Sequence, residues 1–218
     1  MKKAVIFDMD GVICHTNPFH SIAFKRFFEK RNLFPTEEEF SQHMYGKSNS
    51  YILSHFLGRK IERKEFDELE YEKESLFREI YAENIKEIDG FMTFLKALKE
   101  AGFLTGVATS APRANLDLIM KGLGFEYMME SIMASENVTH HKPHPEVYLQ
   151  SADNLGVKPS ECVVFEDSYS GVSAGINAGM RVVGVLSSHK PEELPPCSSY
   201  INNYLDLKTE RILEVLNS

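Results

Sequence analysis

Cysteine is scarce in this chain: only Cys14, Cys162 and Cys197 occur, far apart and without a CxxC pair. An odd, dispersed set argues against structural disulfides and for a reduced, cytoplasmic protein, with Cys14 read as a small packing residue. Basic residues are also in short supply, 24 Lys plus Arg against 32 Asp plus Glu, for a formal net charge of −8. That balance excludes a general nucleic-acid or anionic-membrane binder while leaving room for a local basic site. Long hydrophobic runs are missing as well. Met1-Lys2-Lys3 followed by Ala4-Val5-Ile6-Phe7 imitates the start of a secretory leader, but Asp8 and Asp10 cut the apolar stretch short. Neither an exported nor a membrane-spanning form is expected. No low-complexity tract or internal repeat disturbs an ordinary globular composition, 43% hydrophobic and 26% charged.

What is present is alternation. Short apolar runs rich in β-branched residues occur at 4–7, 104–108, 162–165 and 181–186, with a weaker one at 131–134. Each is followed by a helical pattern, at 91–101, 114–122, 145–155 and 171–178 among others. Buried strands alternating with helices predict an α/β fold with a doubly wound parallel sheet. The segment 17–86 breaks the alternation with helical periodicity, many charges and no convincing strand. It is expected to be an inserted all-helical domain, residues 1–16 and 87–218 forming the core. Asn17-Pro18 reads as a helix start with asparagine as cap, 62–82 as a longer helix, and Asp89-Gly90 as the return to the sheet. The two crossings, near Cys14–Asn17 and Ile85–Asp89, would make a hinge.

In such sheets chemistry gathers at the carboxyl ends of the strands. Asp8 and Asp10 follow the first apolar run, Thr109 and Ser110 the second, and Glu166 and Asp167 the run at 162–165. Two acids at one strand end suit an ionised carboxylate that attacks phosphorus and a neighbour that protonates the leaving oxygen. A solvated turn would also explain Asp-x-Asp-Gly. The third acid and the terminal glutamate of an EF-hand are absent, which disfavours calcium. Glu166-Asp167 suits a hard divalent cation, the alternative being acids that cap the next helix. Lys142, in His140-His141-Lys142-Pro143-His144-Pro145, could balance carboxylate and phosphoryl charge. The crowded histidines lack zinc spacing. Thr109-Ser110 could hold phosphate or cap a helix, with Arg113 a possible second anchor.

These motifs, taken in order, resemble the haloacid dehalogenase superfamily, in its β-phosphoglucomutase-like branch of phosphatases and phosphomutases, over essentially the whole chain. The match lies in Asp8-Met9-Asp10-Gly11-Val12, Thr109, Lys142-Pro143, and Glu166-Asp167 followed by Gly171. The resemblance implies that Asp8 is a nucleophile, Asp10 the general acid and base, Thr109 a phosphate ligand and Lys142 the charge-balancing lysine. It implies Mg2+ held by the Asp8 carboxylate, the Asp10 carbonyl and Asp167, with Glu166 close by. In the insertion, Gly46, Ser48 and Lys73 fall at substrate-contacting or loop positions, and His20 at a histidine that positions the acid/base aspartate. His20 also fits a plain polar position on an amphipathic helix. Asn49 stands where the mutase carries a phosphate-gripping arginine, Lys47 lies two residues away, and His15 replaces an acidic residue. A neutral amide cannot supply a bidentate cationic fork. The expectation is a phosphatase of a small phosphorylated metabolite such as a sugar phosphate, working as a monomer or weak homo-oligomer. Alternatives are a β-phosphoglucomutase, an inorganic pyrophosphatase, or a non-catalytic phosphate-responsive module.

Overall fold

The computed structural model describes residues 2–44 and 48–217. Strand β1 (Ala4–Phe7) is four apolar residues in succession, all buried, as a strand covered on both faces must be. Four helices follow, α1 (Asn17–Glu29), α2 (Glu37–His43), α3 (Asn49–Phe56) and α4 (Arg63–Tyr81). The chain returns through α5 (Phe91–Glu100) to β2 (Leu104–Ala108), α6 (Arg113–Leu123) and β3 (Ser131–Met133). Next come α7 (Glu146–Leu155), β4 (Cys162–Glu166), α8 (Tyr169–Asn177), β5 (Arg181–Val185), β6 (Ser199–Ile201) and α9 (Thr209–Asn217).

All strand pairs are parallel, in the order β3-β2-β1-β4-β5-β6. This is the doubly wound α/β sheet anticipated from the alternation, with β6 and α9 added beyond it. The period-two alternation of strands decides which core each residue joins. Ile6 and Val164 face one way, into a cluster with Val147 and Tyr148 of α7 and Val172 of α8. Phe7 and Phe165 face the other, their rings 5.1 Å apart and Phe7 5.2 Å from Phe91 of α5. Each such ring stabilises the fold by roughly 1.5–3 kcal/mol through burial. Tyr204 joins the aromatic cluster and donates its hydroxyl to Val12 O at 3.0 Å, anchoring the loop that leaves β1. Gly90, at φ +87°, begins α5; a Cβ there would meet the Leu205 backbone at 2.8 Å. Among the described residues no disulfide forms, and no described helix is long and apolar enough to cross a membrane.

The chain divides into a sheet unit, ending at His15 and resuming at Ile85, and a helical unit, Thr16–Asn84. In the helical unit α1 packs on α4, with the rings of Phe19 and Tyr81 tilted against each other at 4.9 Å and Arg31 bound to Glu72 through both terminal nitrogens. Thr16, not Asn17, holds the position before α1, and its side chain makes no capping bond. Pro18 replaces it as the start signal, since a first-turn proline lacks only a donor that would find no helical partner. α2 opens on a reciprocal Thr36–Glu39 capping box.

Candidate active site

Asp8 is the first residue past β1, and its backbone N–H still donates to Phe165 O at 3.0 Å. Glu166 ends β4 and Asp167 follows it. Because Phe7 lies opposite Phe165, these acids emerge side by side where the strand order changes direction. A doubly wound sheet leaves its crevice there. Asp8, Glu166 and Asp167 are buried and offer carboxylate oxygens within 4.8 Å of one another. Gly11, at φ +72°, lets the loop lie against them, for a Cβ would fall 2.0 Å from Asp167 Oδ2.

The Lys142 ammonium enters this cluster and uses all three of its donors. It reaches Asp8 Oδ1 at 2.7 Å, Glu166 Oε1 at 2.7 Å and the Ala108 carbonyl at 3.1 Å, joining the ends of β1, β4 and β2. Its loop is pinned from outside by Glu146, at the start of α7, which accepts from the N–H groups of Thr139 and His140. Those bonds hold the Glu146 carboxyl down at about 2. His140 and His144 lie beside Glu146 on the surface.

Charge in the cluster is unbalanced. Burial pushes Asp8 well above the usual carboxylate range; Lys142 pulls it back, and Glu166, Asp10 and Asp167 push it up again. Burial, reinforced by Glu166, lifts Asp167 to about 8. Burial alone would lower Lys142, but Asp8 and Glu166 outweigh it and hold the ammonium above its usual value. One lysine among these acids leaves room for a further cation, and the available donors are hard oxygens, the kind magnesium takes. Glu166 has little left to offer such an ion. Its Oε1 accepts from Lys142 and from the Tyr148 hydroxyl, and its Oε2 from Asp167 N, Ser168 N and Ser168 Oγ. Of the three acids, Asp8 and Asp167 keep carboxylate oxygens able to take such an ion. Ser168, rather than Asp167, caps α8, accepting from Gly171 N at 3.1 Å.

Thr109 is buried just past β2, its hydroxyl accepting from Ala111 N at 3.0 Å. Ser110 is exposed. Arg113 turns to Asp117 on its own helix at 2.7 Å, and its backbone N–H donates to Glu136 rather than to the acidic cluster. In the helical unit, His20, Asn49 and Lys73 come together around Glu74. Lys73 donates to Glu74 at 2.7 Å and meets His20 Nδ1 at 2.7 Å, while the Asn49 amide donates to Glu70 and Glu74, each at 2.9 Å. His20 stacks on Phe77 with centroids 3.8 Å apart. Ser48 caps α3 by accepting from Tyr51 N. Gly46 and Lys47 lie outside the described residues.

Several residues were not singled out from sequence. Tyr148 donates to Glu166 at 2.8 Å, and the run Ser187-Ser188-His189 after β5 folds over Asp167, His189 Nδ1 lying 2.9 Å from its carbonyl. The rule that found Asp8 and Glu166, polar residues directly after an apolar run, also selects the serines once it is applied to 181–186.

A family model described as haloacid dehalogenase-like hydrolase matches residues 5–185. The chain is 32% identical to the phosphorylated carbohydrates phosphatase of Thermotoga maritima, over 85% of this chain and 86% of the relative. A HAD hydrolase of family IA, variant 3, from Entamoeba histolytica superposes with TM-score 0.93 at 26% identity, covering 100% of both chains. A β-phosphoglucomutase from Clostridium difficile superposes with TM-score 0.84 at 27% identity, covering 100% of this chain and 98% of that one.

Proposed function

Because the chain belongs to the haloacid dehalogenase-like hydrolase family, we propose that it is a magnesium-dependent phosphatase of a small sugar phosphate, with Asp8 as nucleophile. The observation that carries this reading is the Lys142 ammonium held 2.7 Å from Asp8 Oδ1 beside Asp167. A buried carboxylate must be ionised to attack, and burial favours its protonated form. Lys142 opposes that effect only in part. Magnesium, held by Asp8, Asp167 and the Asp10 carbonyl, would supply the remaining positive charge and stabilise the phosphoryl oxygens.

The chain's own groups then divide the work. Asp8 attacks phosphorus as the ester P–O bond breaks, and the Asp10 carboxyl gives its proton to the departing alkoxide. Asp10, now ionised, takes a proton from water as that water attacks the aspartyl phosphate. Inorganic phosphate leaves and the Asp8 carboxylate is restored. Lys142 holds the equatorial oxygens, and Thr109 donates its hydroxyl to one of them.

A mutase needs a second grip for a second phosphate. Asn49 stands where β-phosphoglucomutase-like relatives carry an arginine, and both hydrogens of its amide are committed to Glu70 and Glu74. A neutral amide held in this way offers a second phosphate no cationic fork, which supports water as the acceptor. The test is a panel of sugar phosphates, including β-glucose 1-phosphate, with magnesium, scored for free phosphate and for isomerised product. Phosphate release that Asp8→Asn abolishes is expected. Isomerisation without net release would overturn the phosphatase reading.

A further inference from the structure

We infer that Tyr148 is a positioning residue for the phosphoryl-transfer site, holding Glu166 so that Glu166 in turn keeps the Lys142 ammonium on Asp8. This rests on the reading of Asp8 and Lys142 given above and extends it to a residue one step further from the chemistry.

The geometry is a buried chain of three contacts. Tyr148 is fully buried on the face of α7 that packs under the sheet. Its hydroxyl donates to Glu166 Oε1 at 2.8 Å, and the same oxygen accepts from Lys142 Nζ at 2.7 Å, which reaches Asp8 Oδ1 at 2.7 Å. The other oxygen of Glu166 is held by three donors from the start of α8. Among the described residues, Oε1 accepts from the phenol and the ammonium alone. Without the phenol, the lone pairs of Oε1 turn to Lys142 alone, drawing the ammonium toward Glu166 and away from Asp8. The Tyr148 ring lies 4.8 Å from Nζ, so its π-face also steadies the ammonium. Burial, together with the charges of Glu166 and Asp8, keeps the phenol protonated well beyond its ordinary range, so it stays a donor at any working pH. The opposite wall is fixed as well, since a Cβ on Gly171 would stand 1.7 Å from Oε1.

The experiment is a double-mutant cycle on the full chain with magnesium and p-nitrophenyl phosphate, comparing Tyr148→Phe, Glu166→Gln and the pair. Tyr148→Phe keeps the ring and removes one hydrogen bond, so turnover is referred to folded enzyme, counted by the burst of released nitrophenolate. Tyr148→Phe is expected to lower kcat about tenfold with KM changed less than about twofold, the scale of losing an outer-shell partner. In the Glu166→Gln background the same change is expected to cost less than about twofold, because a neutral amide no longer holds the ammonium by charge, whatever its oxygen accepts from Tyr148. Unchanged kcat per folded enzyme, even with a lowered Tm, overturns the proposal, and so does an equal loss in both backgrounds. Asp8→Asn separates the two levels. If it retains turnover, the reading of the site fails; if it is inactive while Tyr148→Phe is unimpaired, only the role of Tyr148 fails.

Discussion

Ser188 Oγ lies 2.6 Å from Asp167 Oδ2 and donates to it. That bond opposes the burial that lifts Asp167 to about 8. With Ser188→Ala the carboxyl holds its proton more tightly, and magnesium must displace that proton to bind. Half-saturation by magnesium is expected to weaken about three- to tenfold at pH 7 and less at pH 9, where protons compete less for the Asp167 carboxylate. Magnesium titrations of p-nitrophenyl phosphate hydrolysis at both pH values measure this, and equal half-saturation in variant and parent at pH 7 contradicts it.

Asp8 and Asp167 also set a pH dependence of stability. Both have raised values in the folded chain, Asp167 from an ordinary 3.8 to about 8, so the folded state binds more protons than the unfolded one across that interval. Stability from these groups is therefore complete below about pH 4 and is lost as pH climbs toward 8. Magnesium held as proposed would offset the penalty by pairing with the ionised carboxylates. Thermal melts in chelator and in magnesium should diverge as pH rises from 5.5 to 8. A magnesium stabilisation equal at both ends of the range counts against this assignment.

Replacing Asp10 separates proton transfer from metal binding. Asp10→Asn keeps a backbone carbonyl for magnesium but has no carboxyl to protonate the leaving alkoxide. A loss of about 10²–10⁴ in kcat is expected with sugar phosphates, with the thermal shift from magnesium retained. The loss should be smaller in the first-turnover release of nitrophenolate, which leaves without a proton, because the later hydrolysis of the aspartyl phosphate also uses Asp10 and is common to both substrates. Equal losses on both leaving groups in that first turnover would contradict Asp10 as the acid.

The readable part of this site was the part that follows strands. Asp8, Thr109 and Glu166 sit at or directly past the ends of β1, β2 and β4, so an apolar run and its next polar residue locate them together. Lys142 lies in a loop and was visible through its motif instead. Tyr148 was hidden because a tyrosine in a helix pattern reads as core, and its ring is indeed core; only the fold carries its hydroxyl to Glu166, 18 residues further on. Strand β6 was missed for a different reason: Ser199–Ile201 is a short edge strand whose residues are only partly buried, so no apolar run marks it. Asn49 was recognised by what it is not, an arginine, whereas its bonds to Glu70 and Glu74 depend on α3 meeting α4.

Gly171 offers a test in which helix propensity and site geometry oppose each other. In the first turn of α8, glycine to alanine would ordinarily stabilise by about 0.4–1 kcal/mol. Here the new methyl would overlap the Glu166 carboxylate, 1.7 Å from Oε1 and 2.2 Å from Oε2. A carboxylate on a flexible stem can move away more easily than backbone can, so the strain falls on Glu166 and on its bonds to Lys142 and Tyr148. Gly171→Ala should therefore remain folded, destabilised by about 1–3 kcal/mol, while turnover falls at least tenfold as the ammonium loses its station. Thermal melts and kcat measured on the same preparation decide between the two effects. A variant with raised Tm and full kcat would mean that Glu166 has slack to give, and that its tight packing against α8 is not needed to hold Lys142 on Asp8.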